Sequence, residues 1–254
     1  MEKYLSINNL YLKLGSTKIL NGVTFKINKG SKVALIGPNG SGKTTLFNSI
    51  SGFHQINKGE IIFNGHDITK LAPHKRAQLG IGRVFQNFGI FKELTVLDNL
   101  RIAIENRPQS NKLSTKQIID ESIFHLSRVK LDNLINKKAS ELSGGQMRLL
   151  EIIRTVSSNS EFLLLDEPTA GVSPKMKIEI VDLLEQLNQE GRTIFITEHD
   201  MNFVHDLCNQ IIVLNLGTVA LEGTTEEVRQ SEHLKEIYLG RSSNRDEETS
   251  LKAS

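Results

Sequence analysis

Hydrophobic and polar residues alternate along the N-terminal part of the chain. Residues 4–36 show the period of two that is typical of β-strands, and Val23, Phe25 and Ile27 share one face of such a strand. A short apolar run at Lys32–Ile36 predicts a further strand. This part of the chain is therefore expected to be mostly sheet.

The spacing of apolar residues becomes helical after this strand and again in the middle of the chain. A helix is predicted at 44–51, and residues 61–63 predict one more strand, which ends at an Asn-Gly turn. Residues 91–135 carry leucine and isoleucine at helical spacing, interrupted by a polar stretch with a proline at 107–115 that predicts a loop. We interpret about 87–160 as a mostly helical subdomain.

Two short and mainly apolar strands follow, at Phe162–Asp166 and Thr193–Thr197, with a helix predicted between them. Short buried strands that alternate with helices favour a mainly parallel sheet and hence an α/β fold. The last residues, 241–254, are polar and predict a disordered tail.

Composition and charge exclude several classes of protein. The 254 residues are 38% hydrophobic and 24% charged, as in ordinary globular proteins. The 31 basic and 29 acidic residues nearly balance, so bulk charge gives no reason to expect nucleic-acid binding. The single cysteine, Cys208, cannot form an internal disulfide and predicts a reduced compartment. The start of the chain lacks the apolar run of a signal peptide, and no stretch reaches the length of a membrane span, so we expect a soluble chain.

The segment GPNGSGKT at residues 37–44 has the spacing of a phosphate-binding loop, or P-loop. It follows a predicted strand and opens a predicted helix, which is the context that this motif requires. Glycines let backbone N–H groups surround phosphates, Lys43 offers a positive charge to the β- and γ-phosphates, and Thr44 offers a hydroxyl to Mg²⁺. The candidate phosphate-binding residues are Gly37, Pro38, Asn39, Gly40, Ser41, Gly42, Lys43, Thr44 and Thr45.

The segment FLLLDE supplies a partner for the P-loop. Its apolar residues predict a buried strand, and Asp166 comes at the carboxyl end, where open α/β sheets bind their ligands. Asp166 is a candidate ligand of Mg²⁺, and Glu167 is placed to polarise an attacking water. The sequence contains no N-K-x-D motif for guanine, so these parts predict binding and hydrolysis of Mg-ATP.

The segment LSGGQ at 142–146 opens another predicted helix with one serine and two glycines. Unpaired N–H groups and the helix dipole make such a helix start suited to an anion. Together with the P-loop and the FLLLDE strand, this segment resembles the ABC ATPase family over about residues 4–240. The resemblance implies one ABC ATPase domain at 1–240: a P-loop NTPase core with a mainly parallel sheet, an N-terminal antiparallel β-subdomain and the inserted helical subdomain.

The resemblance also implies roles for further residues. Gln86, in RVFQN, matches the glutamine that links the two subdomains and contacts Mg²⁺ and the attacking water. His199, in ITEHD, matches the histidine that touches the γ-phosphate. In this family two subunits pair head-to-tail, and the LSGGQ segment of one caps the ATP held by the P-loop of the other. The capping residues are then Ser143, Gly144, Gly145 and Gln146.

The sequence departs from the family pattern at two places. Members usually have an aromatic residue near the N-terminus that stacks on adenine, and the alignment puts Leu14 there. Tyr11, three residues earlier, is the alternative adenine contact. Many members have aspartate where Ser173 stands, at a position that couples the two ATP sites.

Several stretches resemble the ATPase of branched-chain amino acid importers, among them GIGRVFQNFGIFKELTVLDNL and EHDMNFVHDL. The resemblance implies membrane permeases as partners, a homodimer or heterodimer with a second ABC ATPase, an indirect link to a solute-binding protein, and a peripheral place on the cytoplasmic face of the inner membrane. Permease helices would dock beside Gln86, where residues 87–100 offer the apolar side chains of Phe88, Ile90, Phe91 and Leu94. The ATPase of lipopolysaccharide exporters is similar, so import and export both stay open.

Non-transport members of the family form the remaining alternative. Those of DNA repair and chromosome folding insert a very long coiled coil between the P-loop and LSGGQ, whereas this chain has 98 residues between Lys43 and Leu142. Translation factors usually carry two ATPase domains, and this chain has one. A binding module without catalysis would be expected to lack some of the residues Lys43, Asp166, Glu167 and His199.

Overall fold

The computed structural model describes residues 3–85, 89–108 and 110–238. The described residues form the strands β1 (Lys3–Leu14), β2 (Thr17–Asn28), β3 (Lys32–Ile36), β4 (Lys58–Phe63), β5 (His66–Asp67), β6 (Ile81–Val84), β7 (Phe162–Asp166), β8 (Thr193–Thr197), β9 (Gln210–Asn215) and β10 (Thr218–Thr224). They form the helices α1 (Lys43–Ser51), α2 (Pro73–Gln78), α3 (Val96–Glu105), α4 (Thr115–Ser127), α5 (Gly144–Ser157), α6 (Pro174–Gln189), α7 (Met201–Leu207) and α8 (Thr225–Gln230). Residues 232–238 are helical as well.

The strands make two sheets. The first has the order β2-β1-β4-β5 and is antiparallel throughout. The second has the order β10-β9-β3-β8-β7-β6; its pairs are parallel except for β9 with β10. The expected α/β fold with a mainly parallel sheet and an N-terminal antiparallel sheet is therefore confirmed.

Buried side chains alternate between two hydrophobic cores on the two faces of the parallel sheet. In β3, Val33 and Leu35 pack with the antiparallel sheet and α1, whereas Ala34 and Ile36 pack on the opposite face with α3 to α7. A strand that is buried on both faces needs apolar residues at every position, which explains the uninterrupted apolar runs of β3 and β7. The parallel sheet is thus packed on both faces, and this packing holds the carboxyl ends of its strands in place.

The helices α3, α4 and α5 lie between β6 and β7 in the sequence, and they pack against one another. The helical spacing of apolar residues predicted helices in this part of the chain. Side chains of Thr95, Ser114 and Ser143 begin these helices by accepting a hydrogen bond from a backbone N–H in the first turn. Among the described residues of the predicted loop 107–115, the short 3-10 turn Ser110–Lys112 precedes α4, which begins at Thr115. The predicted limits of the domain and the predicted tail at 241–254 stay predictions, and the tail lies outside the described residues.

In the part of the chain that the structure describes, every helix is too short or too polar to cross a lipid bilayer.

Candidate nucleotide-binding site

The carboxyl ends of β3, β7 and β8 meet at one edge of the parallel sheet. Leu35 pairs with Thr197 in the parallel ladder of β3 and β8, and Asp166 pairs with Thr197 in that of β7 and β8. The P-loop follows β3, Glu167 follows β7 and His199 follows β8. The fold therefore brings three separate sequence motifs to one place.

Backbone conformation and close packing restrict the P-loop to glycine at two positions. A Cβ atom at Gly37 would lie 2.0 Å from the carbonyl oxygen of Leu214. At Gly42, which has a φ of 106°, it would lie 3.0 Å from Leu20 and 3.1 Å from the carbonyl oxygen of Ile19. The loop is thus clamped between β9 and β2, and Gly42 leads directly into α1.

Two polar side chains of the P-loop are buried in it. Lys43 is 7% exposed, and its Nζ donates to the carbonyl oxygens of Gly37 (2.8 Å) and Pro38 (3.3 Å). The hydroxyl of Ser41 is fully buried and finds no hydrogen-bond partner among the described residues. Buried polar atoms are normally satisfied, so an orphaned hydroxyl next to a buried lysine fits a site for a phosphate group.

Asp166 is 3% exposed and is held from two sides. Its Oδ1 accepts a hydrogen bond from the hydroxyl of Thr197, and its Oδ2 accepts one from Nη2 of Arg83 at 2.7 Å. The Arg83 guanidinium also lies over the ring of Phe47, 4.8 Å from its centroid. Burial lowers the pKa of Arg83 to about 10, although Asp166 opposes that shift. This ion pair is therefore a site where charge is held with little water.

Glu167 and His199 face each other across the ends of β7 and β8. Oε1 of Glu167 lies 3.1 Å from Nε2 of His199. Glu167 has a φ of 49°, which is unusual for a residue other than glycine. Its backbone N–H donates to the carbonyl oxygen (3.0 Å) and the hydroxyl (3.1 Å) of Thr197, which fixes this conformation.

The LSGGQ segment begins α5 as the sequence predicted. The hydroxyl of Ser143 accepts from the N–H of Gln146 (3.3 Å), and the side chain of Gln146 accepts from the N–H of Ser143 (3.0 Å). A Cβ atom at Gly145 would lie 2.5 Å from Met176 of α6, whereas one at Gly144 would meet open space. The start of α5 thus presents Ser143 and Gly144 to the surroundings of the molecule.

The two candidate adenine contacts lie in different settings. The hydroxyl of Tyr11 lies beside Gly22, and the Nζ of Lys58 stands 5.6 Å above the centre of its ring. Leu14 is 45% exposed at the end of β1. Which of the two contacts adenine stays a prediction.

Gln86 lies outside the described residues, but its chain neighbours are anchored. The N–H groups of Phe85 (3.0 Å) and Gly89 (2.7 Å) both donate to Oε1 of Glu151 on α5. Glu151 is 1% exposed and pairs with Arg148 at 2.8 Å. Burial raises the pKa of Glu151, and the N–H of Gly89 together with Arg148 partly offsets this. Phe85 and Gly89 are therefore both held by the helix that starts at LSGGQ.

Sequence reasoning missed Arg83, Thr197 and Glu198, which all touch predicted site residues or their loops. Arg83 stands in a strand, IGRV, that has too few apolar residues to be recognised. Thr197 and Glu198 come directly before His199, and their position after a buried strand was the one available signal.

The model of one protein family matches residues 20–170, and that family is described as ABC transporter. This chain belongs to the ABC transporter family. A probable branched-chain amino acid transport ATP-binding protein, LivG, of Archaeoglobus fulgidus is 37% identical over 246 residues, covering 94% of this ABC ATPase and 96% of the relative. The lipopolysaccharide export system ATP-binding protein LptB of Haemophilus influenzae is 37% identical over 240 residues, covering 93% and 97%.

Solved structures agree with this assignment. The ADP conformation of an ATP-binding cassette of an ABC transporter superposes on this ABC ATPase with a TM-score of 0.85 and 34% identity, covering 94% of this chain and all of that one. A dimeric cassette bound to ADP and Pi gives a TM-score of 0.77 at 28% identity, covering 87% and 98%. This ABC ATPase is therefore an ATP-hydrolysing subunit of a transporter, of the kind that dimerises and works with membrane permeases.

Proposed function

We propose that this ABC ATPase hydrolyses Mg-ATP at the edge of its parallel sheet and thereby powers import of a branched-chain amino acid, or a related polar solute, through partner permeases. The contact between Glu167 and His199, beside the buried Asp166, carries the catalytic part of this proposal. The names of the LivG relative and of BraF of Pseudomonas aeruginosa, which is 35% identical over 248 residues, support the substrate class.

The residues after β3 would bind and orient the phosphates. The backbone of residues 37–42, the hydroxyl of Thr45 and the charge of Lys43 surround the β- and γ-phosphates, with Lys43 exchanging its bonds to Gly37 and Pro38 for phosphate oxygens. Leu14 or Tyr11 would contact the adenine. ATP is favoured over GTP because the sequence has no guanine motif.

The residues present fit an Mg²⁺ ion that is bound together with ATP. Among the described residues, no cluster of three or more His, Cys, Asp or Glu side chains is built to hold a metal. Mg²⁺ usually takes one or two protein ligands plus phosphate oxygens and water, which suits the exposed Thr44 hydroxyl and Asp166, with Gln86 as a further ligand. When bound, the ion would neutralise charge on the β- and γ-phosphates.

Glu167 and His199 would act on the two reacting groups of hydrolysis, the attacking water and the γ-phosphate. Glu167 accepts a hydrogen bond from the attacking water and increases its nucleophilicity. His199 donates a hydrogen bond to the γ-phosphate, and Gln86 helps to place the water. The 3.1 Å contact between Glu167 and His199 supports these roles because it puts the water site and the γ-phosphate site side by side.

A second ATPase subunit would complete each site. Ser143, Gly144, Gly145 and Gln146 at the start of α5 would cap the γ-phosphate held by the P-loop of the other subunit. The open space at Gly144 and the exposed Ser143 support this role, because a phosphate must reach the N–H groups of the helix start. The pair is either a homodimer or a heterodimer with a related ATPase.

A groove between the sheet and the helical subdomain would receive a permease helix. Its volume is about 540 Å³, and its lining includes Phe53, Phe85, Arg107, Glu151 and Arg154. Of the four apolar residues expected to offer a docking surface, Ile90 is buried, Phe91 (44%) and Leu94 (36%) are exposed, and Phe88 lies outside the described residues. The ring of Phe91 lies under the guanidinium of Arg154, at 4.7 Å, and Arg154 lines this groove.

The substrate and the direction of transport are tested by the partners. This subunit is purified in mild detergent from its native membranes, where we expect it at the cytoplasmic face of the inner membrane, and every associated protein is identified by mass. Two polytopic permeases with a second ATPase, and a solute-binding protein that stimulates hydrolysis, would support import. Export-type permeases with this ATPase alone would favour the lipopolysaccharide-type alternative, which the LptB relative also supports. Soluble partners alone, or nucleic acid, would contradict both.

A further inference from the structure

Thr197 at the end of β8 and the three residues after it each contact a residue that lies at the end of β7 or after it. The pairs are Thr197 with Asp166, Glu198 with Thr169, His199 with Glu167, and Asp200 with Lys177. One of these pairs joins the proposed catalytic residues Glu167 and His199, and another contains Asp166, the proposed ligand of Mg²⁺. The pair of Glu198 and Thr169 has no part in the proposed chemistry, yet it lies between them.

The carboxylate of Glu198 bridges the two loops at the site. Its Oε1 accepts hydrogen bonds from the backbone N–H (2.9 Å) and the hydroxyl (2.6 Å) of Thr169, and its Oε2 lies 3.1 Å from the N–H of His199. Glu198 is 3% exposed and Thr169 is 5% exposed. A buried carboxylate is tolerated only when its oxygens are hydrogen-bonded, and here the donors come from both loops.

These contacts close a ring. The carboxylate of Glu198 accepts hydrogen bonds from the backbone N–H groups of His199 and Thr169. Thr169 stands two residues after Glu167, and the carboxylate of Glu167 lies 3.1 Å from the imidazole of His199. In such a ring the position of His199 relative to Glu167 depends on the side chain of Glu198 as well as on the bonds between Glu167 and Thr197. The left-handed backbone at Glu167 is sparsely populated without restraints, and Thr197, directly before Glu198, supplies one such restraint.

We propose that Glu198 is a positioning residue that holds His199 and Glu167 at their working distance by tying the loop after β8 to Thr169 in the loop after β7. The proposal rests on the proposed roles of Glu167 and His199 in hydrolysis. Glu198 itself touches neither the nucleotide nor the water in this account.

Glu198→Gln tests the bridge without changing the length of the side chain. The amide has one acceptor oxygen and one donor NH₂, so it can satisfy either Thr169 or His199 but not both. We expect kcat to fall by about 10- to 100-fold, as for other changes that disturb the support of a reacting group. The affinity for ATP in the presence of EDTA should stay unchanged, because the P-loop keeps its contacts.

Glu185→Gln is the matched control. Glu185 is a half-buried carboxylate on α6 that pairs with Lys32, at the start of β3 and hence at the opposite edge of the sheet. Thermal melting of both variants identifies any general loss of folding. A kcat of Glu198→Gln equal to that of Glu185→Gln would overturn the proposal.

A double-mutant cycle separates positioning from general structural support. If Glu198 acts through His199, the variant with both Glu198→Gln and His199→Ala should be no slower than His199→Ala alone. Losses that multiply would overturn the proposal. If Glu167→Gln and His199→Ala both keep full ATPase activity, the proposed function fails instead, so the two failures are distinguishable.

The imidazole NMR signals of His199 give a readout that does not need turnover. The chain has seven histidines, and His199→Ala assigns the signal. In nucleotide-free protein, Glu198→Gln should shift the ring signal of His199 in the same direction as Glu167→Gln, since both weaken the contact with Glu167. A signal of His199 that stays in place in Glu198→Gln would contradict the proposal.

Discussion

The buried pair of Arg83 and Asp166 allows a stability prediction in which two opposing effects are weighed. Arg83→Met removes the guanidinium but keeps a side chain that can fill the same space beside Phe47. The side chains of Arg83 and Asp166 are 6% and 4% exposed, so both charges are held away from water. The variant leaves the Asp166 carboxylate with the hydroxyl of Thr197 as its remaining described side-chain donor.

The first effect is destabilising. Removing one partner of a buried ion pair typically costs about 3–5 kcal/mol, because the other charge stays buried. The second effect is stabilising. Burial lowers the pKa of Arg83 to about 10, so its charge is itself unfavourable in the folded protein, and Arg83→Met relieves that cost. Its Nε and Nη1 lack hydrogen-bond partners among the described residues, which accounts for that cost.

Because the typical cost of removing one partner already includes this relief, we expect Arg83→Met to lose about 3 kcal/mol, the lower end of that range. Chemical denaturation at pH 7 without nucleotide measures the free energy of unfolding, and Arg83→Met with Asp166→Asn serves as the control. We expect the double variant to be as stable as wild type or more stable, because no unpaired charge remains. A loss of more than about 4 kcal/mol in the single variant, persisting in the double variant, would refute this reasoning.

Three further predictions concern other parts of the molecule. Lys43→Ala should abolish ATP binding or hydrolysis, because it removes the one buried cation described in the P-loop; calorimetric titration with ATP and a phosphate-release assay measure this, and full activity would contradict the P-loop assignment. Hydrogen bonding to Lys177 lowers the pKa of Asp200, so the contribution of Asp200 to stability is present above its unfolded pKa, near 4, and is lost as the pH falls through its folded pKa. Asp200→Asn should therefore be less stable than wild type by about 1 kcal/mol or less at pH 7, and equally stable near pH 2. Denaturation curves at both pH values measure this, and the same difference in the free energy of unfolding at both would be inconsistent with this linkage. Burial raises the pKa of the Cys208 thiol, so a thiol reagent should label Cys208 only in denaturant, and rapid labelling of the native chain would show that the site is open.

Local patterns were sufficient to predict the P-loop, β7 and β8. Each has an apolar strand followed at once by its functional residues, so chain order alone puts the side chains at the carboxyl edge. The start of α5 was predictable for a similar reason, since a serine with glutamine three residues later is the usual signal for a helix N-terminus.

The parts of the site that could not be predicted depend on contacts between residues that are far apart in the sequence. Arg83 and Asp166 are 83 residues apart in sequence, and their pairing requires that β6 lies beside β7. The strand β6 itself contains Gly82, where a Cβ atom would lie 2.6 Å from side chains of Ser160 and Thr155. Its glycine thus serves close packing of α5 against the sheet, which no local pattern indicates. The setting of Tyr11 depends in the same way on which face of β1 it occupies, and β1 carries several irregularities in its pairing.

An ATP site that is shared between two subunits requires them to associate, and the state of association of Glu167→Gln measures this. Light scattering is recorded on this variant with Mg-ATP, with Mg-ADP and without nucleotide, alone and with a candidate second ATPase subunit. We expect that Glu167→Gln keeps ATP bound and forms a stable dimer only with Mg-ATP. Adding Ser143→Arg, which obstructs the start of α5, should return it to monomer without loss of ATP binding. A monomer under every condition, despite bound ATP, would contradict an ATP site that is shared between two subunits.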